Sequence, residues 1–462
     1  MIRFSRALKE NTAHASTFVS LIAVLACGCT QTSEPEVAEQ PVNPIDAGGD
    51  TGASDSGAGT PAPAFAESTG GDCVIAELPT FADLPELATL PDPFLGLDGQ
   101  RITTKAEWHC RREEIKKLGE RFIYGAKPPK PESVTGTVSD TNITVNVTQA
   151  GRTATFSATV SLPAGVTGPV PAVIGYGGSN FEDAIKQEGV AFINYDLGAV
   201  GAETTNNPKQ GAFYTVHPEL QTTGMLVAWA WGVSRIIDVL EASGAAIINP
   251  RGIATHGCSR NGKGAFIAGA FDERVALTIP FESGMAGVAA FRLVVPENGE
   301  VLRNAIEYRP WAGDAYRQFL QLTVFDEMDT AGRQRDNDAA DLLQDKLPID
   351  THSVIGMIAP RGLYVMGNPG IANLAPNAEL VAVRGGAEIY SALGVAENIS
   401  YTSNTANGNH CSFRQEFVPT LQQTLRKFLK NDPSATPGTL DADARLTGQL
   451  APNSAWTTPA LE

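Results

Sequence analysis

A serine set between an apolar run and a chain of small residues can expose its hydroxyl as a nucleophile. The sequence holds one such serine in GIATHGCSRNGKGAFIAGAF (252–271). GIATHGC predicts a buried strand, and Gly262, Gly264, Ala265, Ala268 and Gly269 predict a helix able to pack closely on a sheet. Ser259, at the tight turn between them, would project its oxygen from the carboxyl edge of the sheet. Free N–H groups at the helix start would favour an oxyanion there. The match to GxSxG is imperfect, because Asn261 holds the place of the second glycine. The plainer reading of the segment is a serine that only shapes a turn.

A nucleophilic serine needs a base to take its proton and an acid to orient the base. His410 lies in NGNHCSF, a Gly/Asn loop between the apolar strand NISYTS (398–403) and the last helix. Of the other five histidines, His14 falls in the N-terminal leader, His109 beside Cys110 and His352 in a PIDTH turn. His217 follows the fourth strand, and His256 lies within the nucleophile strand, where a core role fits better. Glu282 directly follows VALTIPF (275–281), the strand after the nucleophile helix, and so emerges at the same sheet edge as Ser259. The other customary place for the acid, after GLYVMG (362–367), holds Asn368, Pro369 and Gly370 and offers no carboxylate. The chain order Ser, Glu, His is that of an α/β-hydrolase.

The elements needed to position these residues can be read along the chain. NITVNV (142–147) and TATFSATVSL (153–162) alternate with period two and suit an antiparallel start to a sheet. PAVIGYGG (171–178), VAFINYD (190–196) and the three runs already named read as buried, mainly parallel strands. MLVAWAWGVSRIIDVLE (225–241) is the clearest helix. The expected fold class is α/β: a mostly parallel central sheet in a three-layer sandwich. Residues 1–29 read as an export signal, with Arg3, Arg6 and Lys9 ahead of an apolar run too short to span a bilayer. Its end, LACGC, resembles the lipobox of bacterial lipoproteins, so Cys27 or Cys29 is a candidate for lipidation. Residues 30–72 hold eight acidic side chains and no Lys or Arg among Pro, Gly, Ser and Ala, the composition of a disordered tether. The esterase-like domain then spans 73–431, and 432–462 reads as an extended C-terminal tail. The formal charge of −17 excludes a nucleic-acid binder, which needs a basic face. Beyond the leader, Cys73, Cys110, Cys258 and Cys411 suggest two disulfides in an exported chain, with three connectivities open.

GCSRNGKGA, PFESG and GNHC, together with LPDPFLGLDGQRITTKAEWHCRREEI (90–115) and LPIDTHSVIGMIAPRGLYV (347–365), resemble the glucuronoyl esterases of carbohydrate esterase family 15. The similarity spans roughly 75–430. It implies Ser259 as nucleophile, Glu282 as acid, His410 as base and Arg260 as a contributor to the oxyanion hole. It also implies that Lys263 contacts sugar hydroxyls and that Cys258 pairs with Cys411, which leaves Cys73 for Cys110. No metal or organic cofactor is implied. The family substrate is the ester joining 4-O-methyl-glucuronic acid of glucuronoxylan to lignin alcohols. The chain itself is expected to be a monomer whose only tie to a membrane would be the lipid anchor.

The sugar-binding positions depart from the family. Asn373 in IANLAP stands where family members carry a tryptophan, Tyr308 in EYRPW where they carry a glutamate, and Glu300 where they carry a glutamine. Phe291 replaces a tryptophan after the acid, and Ala290 occupies one position of a third disulfide of fungal members. Two rivals follow. One is an esterase for another carbohydrate or uronate ester; the other is a non-catalytic carbohydrate-binding protein on the same fold.

Overall fold

The computed structural model describes residues 73–462 other than 167, 205–207, 295–296, 298, 301, 307–308, 321–342 and 407, and only the backbone of 302–303. The leader with Cys27 and Cys29, the tether over 30–72 and Tyr308 lie outside the described residues.

The strands are β1 (Ser133–Val138), β2 (Asn142–Gln149), β3 (Arg152–Ser161), β4 (Val170–Tyr176) and β5 (Ala191–Tyr195), then β6 (Ile248–Cys258), β7 (Val275–Phe281), β8 (Gly362–Met366), β9 (Ile399–Thr402) and β10 (Leu440–Asp441). They form one sheet in the order β1-β2-β3-β5-β4-β6-β7-β8-β9-β10. Pairing is antiparallel from β1 through β3 to β5 and parallel from there on. The two regimes have different sequence causes. In β2 only Ile143, Val145 and Val147 are fully buried, so one face meets the core and the other is polar. In β4, β6, β7 and β8 neighbouring residues enter different cores. Ala172 and Ile174 pack on one face while Val173 packs on the other, and Leu363 and Val365 oppose Tyr364 and Met366. The first core is shared with the helices Met225–Ala242, Arg260–Phe271, Thr351–Ile358 and Pro376–Ala392, and the second with Glu182–Gln187 and Val418–Lys430. Strands buried on both faces have to be apolar throughout, and this is why those runs can be read from sequence. β1 escapes that reading because its side chains are mostly exposed at the sheet edge.

Buried charge lies between the helix Arg260–Phe271 and β7. In the turn between them, Arg274 donates to Asp272 at 3.0 and 2.8 Å and to Asp238 of the long helix at 2.7 Å. Burial alone would raise the Asp272 pKa, but the Arg274 charge outweighs it and holds the carboxyl below its usual range. The N-terminal segment is fastened by the Cys73–Cys110 disulfide to the helix Lys105–Gly119. Residues 432–462 mostly lack regular structure, yet they dock on the domain. β10 extends the sheet, Trp456 stacks on the His352 ring at 5.2 Å, and Leu461 is buried. Among the described residues no helix is long and apolar enough to cross a membrane.

One buried carboxyl lies behind the sheet edge that carries the site. Glu379, on the helix Pro376–Ala392, is 2% exposed and faces the Tyr401 hydroxyl. Burial pushes it up to about 8, and the charges of Glu282 and Glu297 add to the rise. In the unfolded chain it ionises near the usual 4.5, so between 4.5 and 8 the folded state holds the extra proton. Stability must therefore fall as pH rises through that window. Glu379→Gln, which cannot ionise, should be spared a loss on the order of 3–5 kcal/mol that the parent suffers between pH 5 and pH 8. Denaturant unfolding of both proteins at the two pH values reads this difference; equal pH dependence would show that Glu379 ionises freely in the fold.

Candidate active site

The chain passes from β6 to the helix Arg260–Phe271 in a single residue, Ser259, with φ 59° and ψ −129°. Such a conformation costs an ordinary side chain on the order of 1–3 kcal/mol and persists only where the surroundings impose it. Here the Ser259 amide donates to Phe281 O at 2.9 Å, locking the turn to the end of β7. The next N–H groups belong to the first helical turn and have no acceptor within the helix. Close packing explains the imperfect motif. A Cβ at Gly262 would lie 2.8 Å from both Gly257 O and Phe281 O, so the glycine is needed at 262. At 261 the side chain is free to turn away: Asn261 Nδ2 would lie 2.9 Å from a Cβ on Gly177, in the loop after β4.

Glu282, the first residue after β7, is fully buried with φ 46°. Its Oε2 lies 2.6 Å from His410 Nδ1 and accepts from the Cys411 amide at 2.7 Å. Its Oε1 accepts from Arg414 Nη1 at 2.5 Å and Asn368 Nδ2 at 2.9 Å. Burial by itself would raise this carboxyl, but the bonds from His410, Cys411 and Arg414 prevail and hold it below the usual carboxylate range. An ionised carboxylate only accepts, so the proton sits on Nδ1 of His410 and Nε2 is the nitrogen left for proton transfer. The Cys258–Cys411 disulfide joins the residue before Ser259 to the residue after His410, with Cα atoms 5.7 Å apart. It thereby clamps the His410 loop to the nucleophile turn. Atoms of Cys258, Glu282, His410 and Cys411 lie within 4.8 Å of one another. Both sulfurs are taken up in the disulfide, so they supply no thiolate ligand for a metal.

Sequence reasoning misses two members of this cluster. Asn368 offers no carboxylate, but it stands in the alternative acid position as a donor to Glu282. Arg414 bonds both Glu282 and Asn409 O, the latter at 3.0 Å, and so braces the His410 loop from within. No local pattern singles it out. His256 is a core residue, as its strand suggests: its ring bonds Ile279 O at 3.0 Å and Ser179 Oγ at 2.8 Å. Burial pushes it down to about 4, so it is neutral and holds the loop after β4 in place.

On the other side of Ser259 lie the residues implicated in sugar binding. Lys263 is 1% exposed: its Nζ donates to Ser283 O at 2.6 Å and Glu300 Oε2 at 2.5 Å and sits 5.0 Å above the Trp311 ring. Its ammonium is therefore enclosed, with Glu300 and Trp311 as the groups nearer solvent. Glu300 N donates to Asn373 O at 2.9 Å, which brings those two positions together, and Asn373 is exposed. Arg260 is half-exposed and ion-paired through Nε with Glu203 at 2.9 Å. Glu203 also accepts from Trp311 Nε1 at 2.9 Å. Nothing in the sequence around Glu203 marks it.

Comparison with known proteins bears on the family of the chain. Residues 145–394 match the family model described as glucuronyl esterase, fungi. The chain is 33% identical over 402 residues to the 4-O-methyl-glucuronoyl methylesterase of Hypocrea jecorina, covering 85% of this chain and 80% of that protein. It is 35% identical over 388 residues to the enzyme of the same name from Phanerochaete carnosa, covering 80% and 89%. Among solved structures, the glucuronoyl esterase catalytic domain from Hypocrea jecorina superposes with a TM-score of 0.72 at 32% identity, covering 83% of this chain and all of that one. A mutant glucuronoyl esterase from Sporotrichum thermophile, in complex with methyl 4-O-methyl-beta-D-glucopyranuronate, gives 0.73 at 32% identity over 84% of this chain and all of that one. The fold, an α/β-hydrolase with a mostly parallel sheet, is that of these carboxylic ester hydrolases. The chain belongs to the glucuronoyl esterase family.

Proposed function

We propose that this protein is a serine esterase that cleaves 4-O-methyl-glucuronoyl esters joining xylan to lignin alcohols, through Ser259, His410 and Glu282. The observation that carries the reading is the fully buried Glu282 carboxylate bonded to His410 Nδ1, with the disulfide holding the His410 loop against Ser259. In this mechanism His410 Nε2 takes the Ser259 proton as the hydroxyl oxygen attacks the ester carbonyl. Arg260 and the first-turn N–H groups hold the tetrahedral oxyanion. His410 returns the proton to the departing alcohol, and water repeats the sequence to free the uronic acid. The relative that binds a methyl 4-O-methyl-glucuronate supports the acyl group.

The same reading makes the protein an exported monomer, tethered by a lipid on Cys27 or Cys29. Two disulfides among the described residues fit an oxidising compartment. A different uronate or carbohydrate ester is favoured by two observations: Asn373 cannot form the aromatic wall, and Lys263 is enclosed. Kinetics on benzyl glucuronate and p-nitrophenyl acetate separate the two. The proposed substrate class requires a much higher kcat/KM on the glucuronate; a preference for the acetate would refute it.

Ser259→Ala should abolish turnover without loss of fold, with a drop on the order of 10⁶ in kcat. Retention of more than about a thousandth of parental kcat would exclude Ser259 as the attacking group. Glu282→Gln leaves one acceptor oxygen for four donors, so its N–H₂ faces either the His410 and Cys411 pair or the Arg414 and Asn368 pair, and the charge that would stabilise the imidazolium is lost. Its kcat should fall about 10³- to 10⁴-fold. Near-parental turnover in this variant would mean that another acid serves the base.

A further inference from the structure

We propose that Glu203 is a positioning residue that aims the Arg260 guanidinium at the oxyanion. The inference rests on the acyl-transfer reading above, in which the side chain following the nucleophile meets the developing charge. Arg260 is the first residue of its helix and its side chain is 54% exposed. Left to itself, so long a side chain would sample many rotamers, and most would leave the oxyanion unserved. Stabilisation of a transition state requires the donor to be in place before charge develops.

Glu203 supplies that constraint. Its Oε2 pairs with Arg260 Nε at 2.9 Å, its Oε1 accepts from Trp311 Nε1 at 2.9 Å, and Arg309 Nε lies 3.7 Å from Oε1. The carboxylate is 17% exposed, whereas an exposed surface pair would be worth little. Trp311 is itself fixed, with Lys263 Nζ 5.0 Å above its ring and Glu300 bonded to that same ammonium. The rigid group is thus the indole, and Glu203 passes its position to Arg260. A carboxylate this near an oxyanion would oppose catalysis if its charge were unpaired. Paired with Arg260, it offsets part of the positive charge while fixing the geometry.

A double-mutant cycle on benzyl glucuronate tests this, using Glu203→Ala, Arg260→Ala and the pair. Arg260→Ala should lower kcat about 10²-fold or more, the usual cost of an oxyanion donor. Glu203→Ala should lower kcat roughly 10- to 30-fold with KM changed less than about threefold, and should add less than about twofold when Arg260 is already alanine. Glu203→Gln keeps one acceptor oxygen in place of two, enough for Arg260 or Trp311 but not both, so it should recover only part of the lost kcat; it also serves as the measurement if the alanine variant folds poorly. Equal losses from Glu203→Ala with and without Arg260 would overturn the inference, as would an effect confined to KM, which would make Glu203 a sugar contact. Parental kcat in Arg260→Ala would instead remove the oxyanion role on which the inference rests.

Discussion

A carboxylate removed from water has to be met by donors or it will not stay charged, and Glu282 collects four. Those donors come from separate parts of the chain: Asn368 from the segment after β8, and His410, Cys411 and Arg414 from the loop after β9. Glu282 itself closes β7, and the amide of Ser259 is bonded to the residue before it. One buried charge therefore fixes the relative position of three strand ends and the nucleophile turn. The arrangement keeps the acid ionised while it is buried, because the donors outweigh desolvation. It also explains why Ser259, Glu282 and Cys411 all take positive φ values. Each sits where the chain must leave a strand or loop abruptly so that its neighbour can face the same small volume.

The opposite flank follows a different electrostatic rule. Two cations, Lys263 and Arg260, are each held by a carboxylate, Glu300 and Glu203, with Trp311 between them. Pairing lets a nearly fully enclosed ammonium exist without stranding its charge. Of these groups Arg260 is the most exposed, its side chain 54% accessible against 17% for Glu203.

Much of this is legible in the amino-acid sequence, and the reasons are physical. Strands β4, β6, β7 and β8 are covered on both faces, so their sequences have to be continuous apolar runs, and the residue following each run has to lie at the sheet edge. That inference alone brings Ser259 and Glu282 to one edge. His410 follows from its position between the last long strand and the last helix. What escapes are side chains whose roles depend on distant partners. Arg414 is 132 residues from Glu282 and Glu203 is 108 from Trp311. No periodicity records such pairs. The enclosure of Lys263 is equally hidden, because a lysine on the first turn of a helix is usually a solvated one. β1 leaves no signal because an exposed edge strand need not alternate.

The GxSxG exception shows how a motif yields to packing. What the turn requires is close approach between the first helical turn and the ends of β6 and β7, and any Cβ at 262 would collide with two carbonyl oxygens. Once a glycine satisfies that contact at 262, position 261 is released from it. The side chain there can then reach toward Gly177, in the loop after β4 that His256 braces through Ser179. Asn261 is therefore a consequence of the same geometry that forms the turn at Ser259. Its Nδ2 lies beside Gly177, a contact that a glycine at 261 could not make.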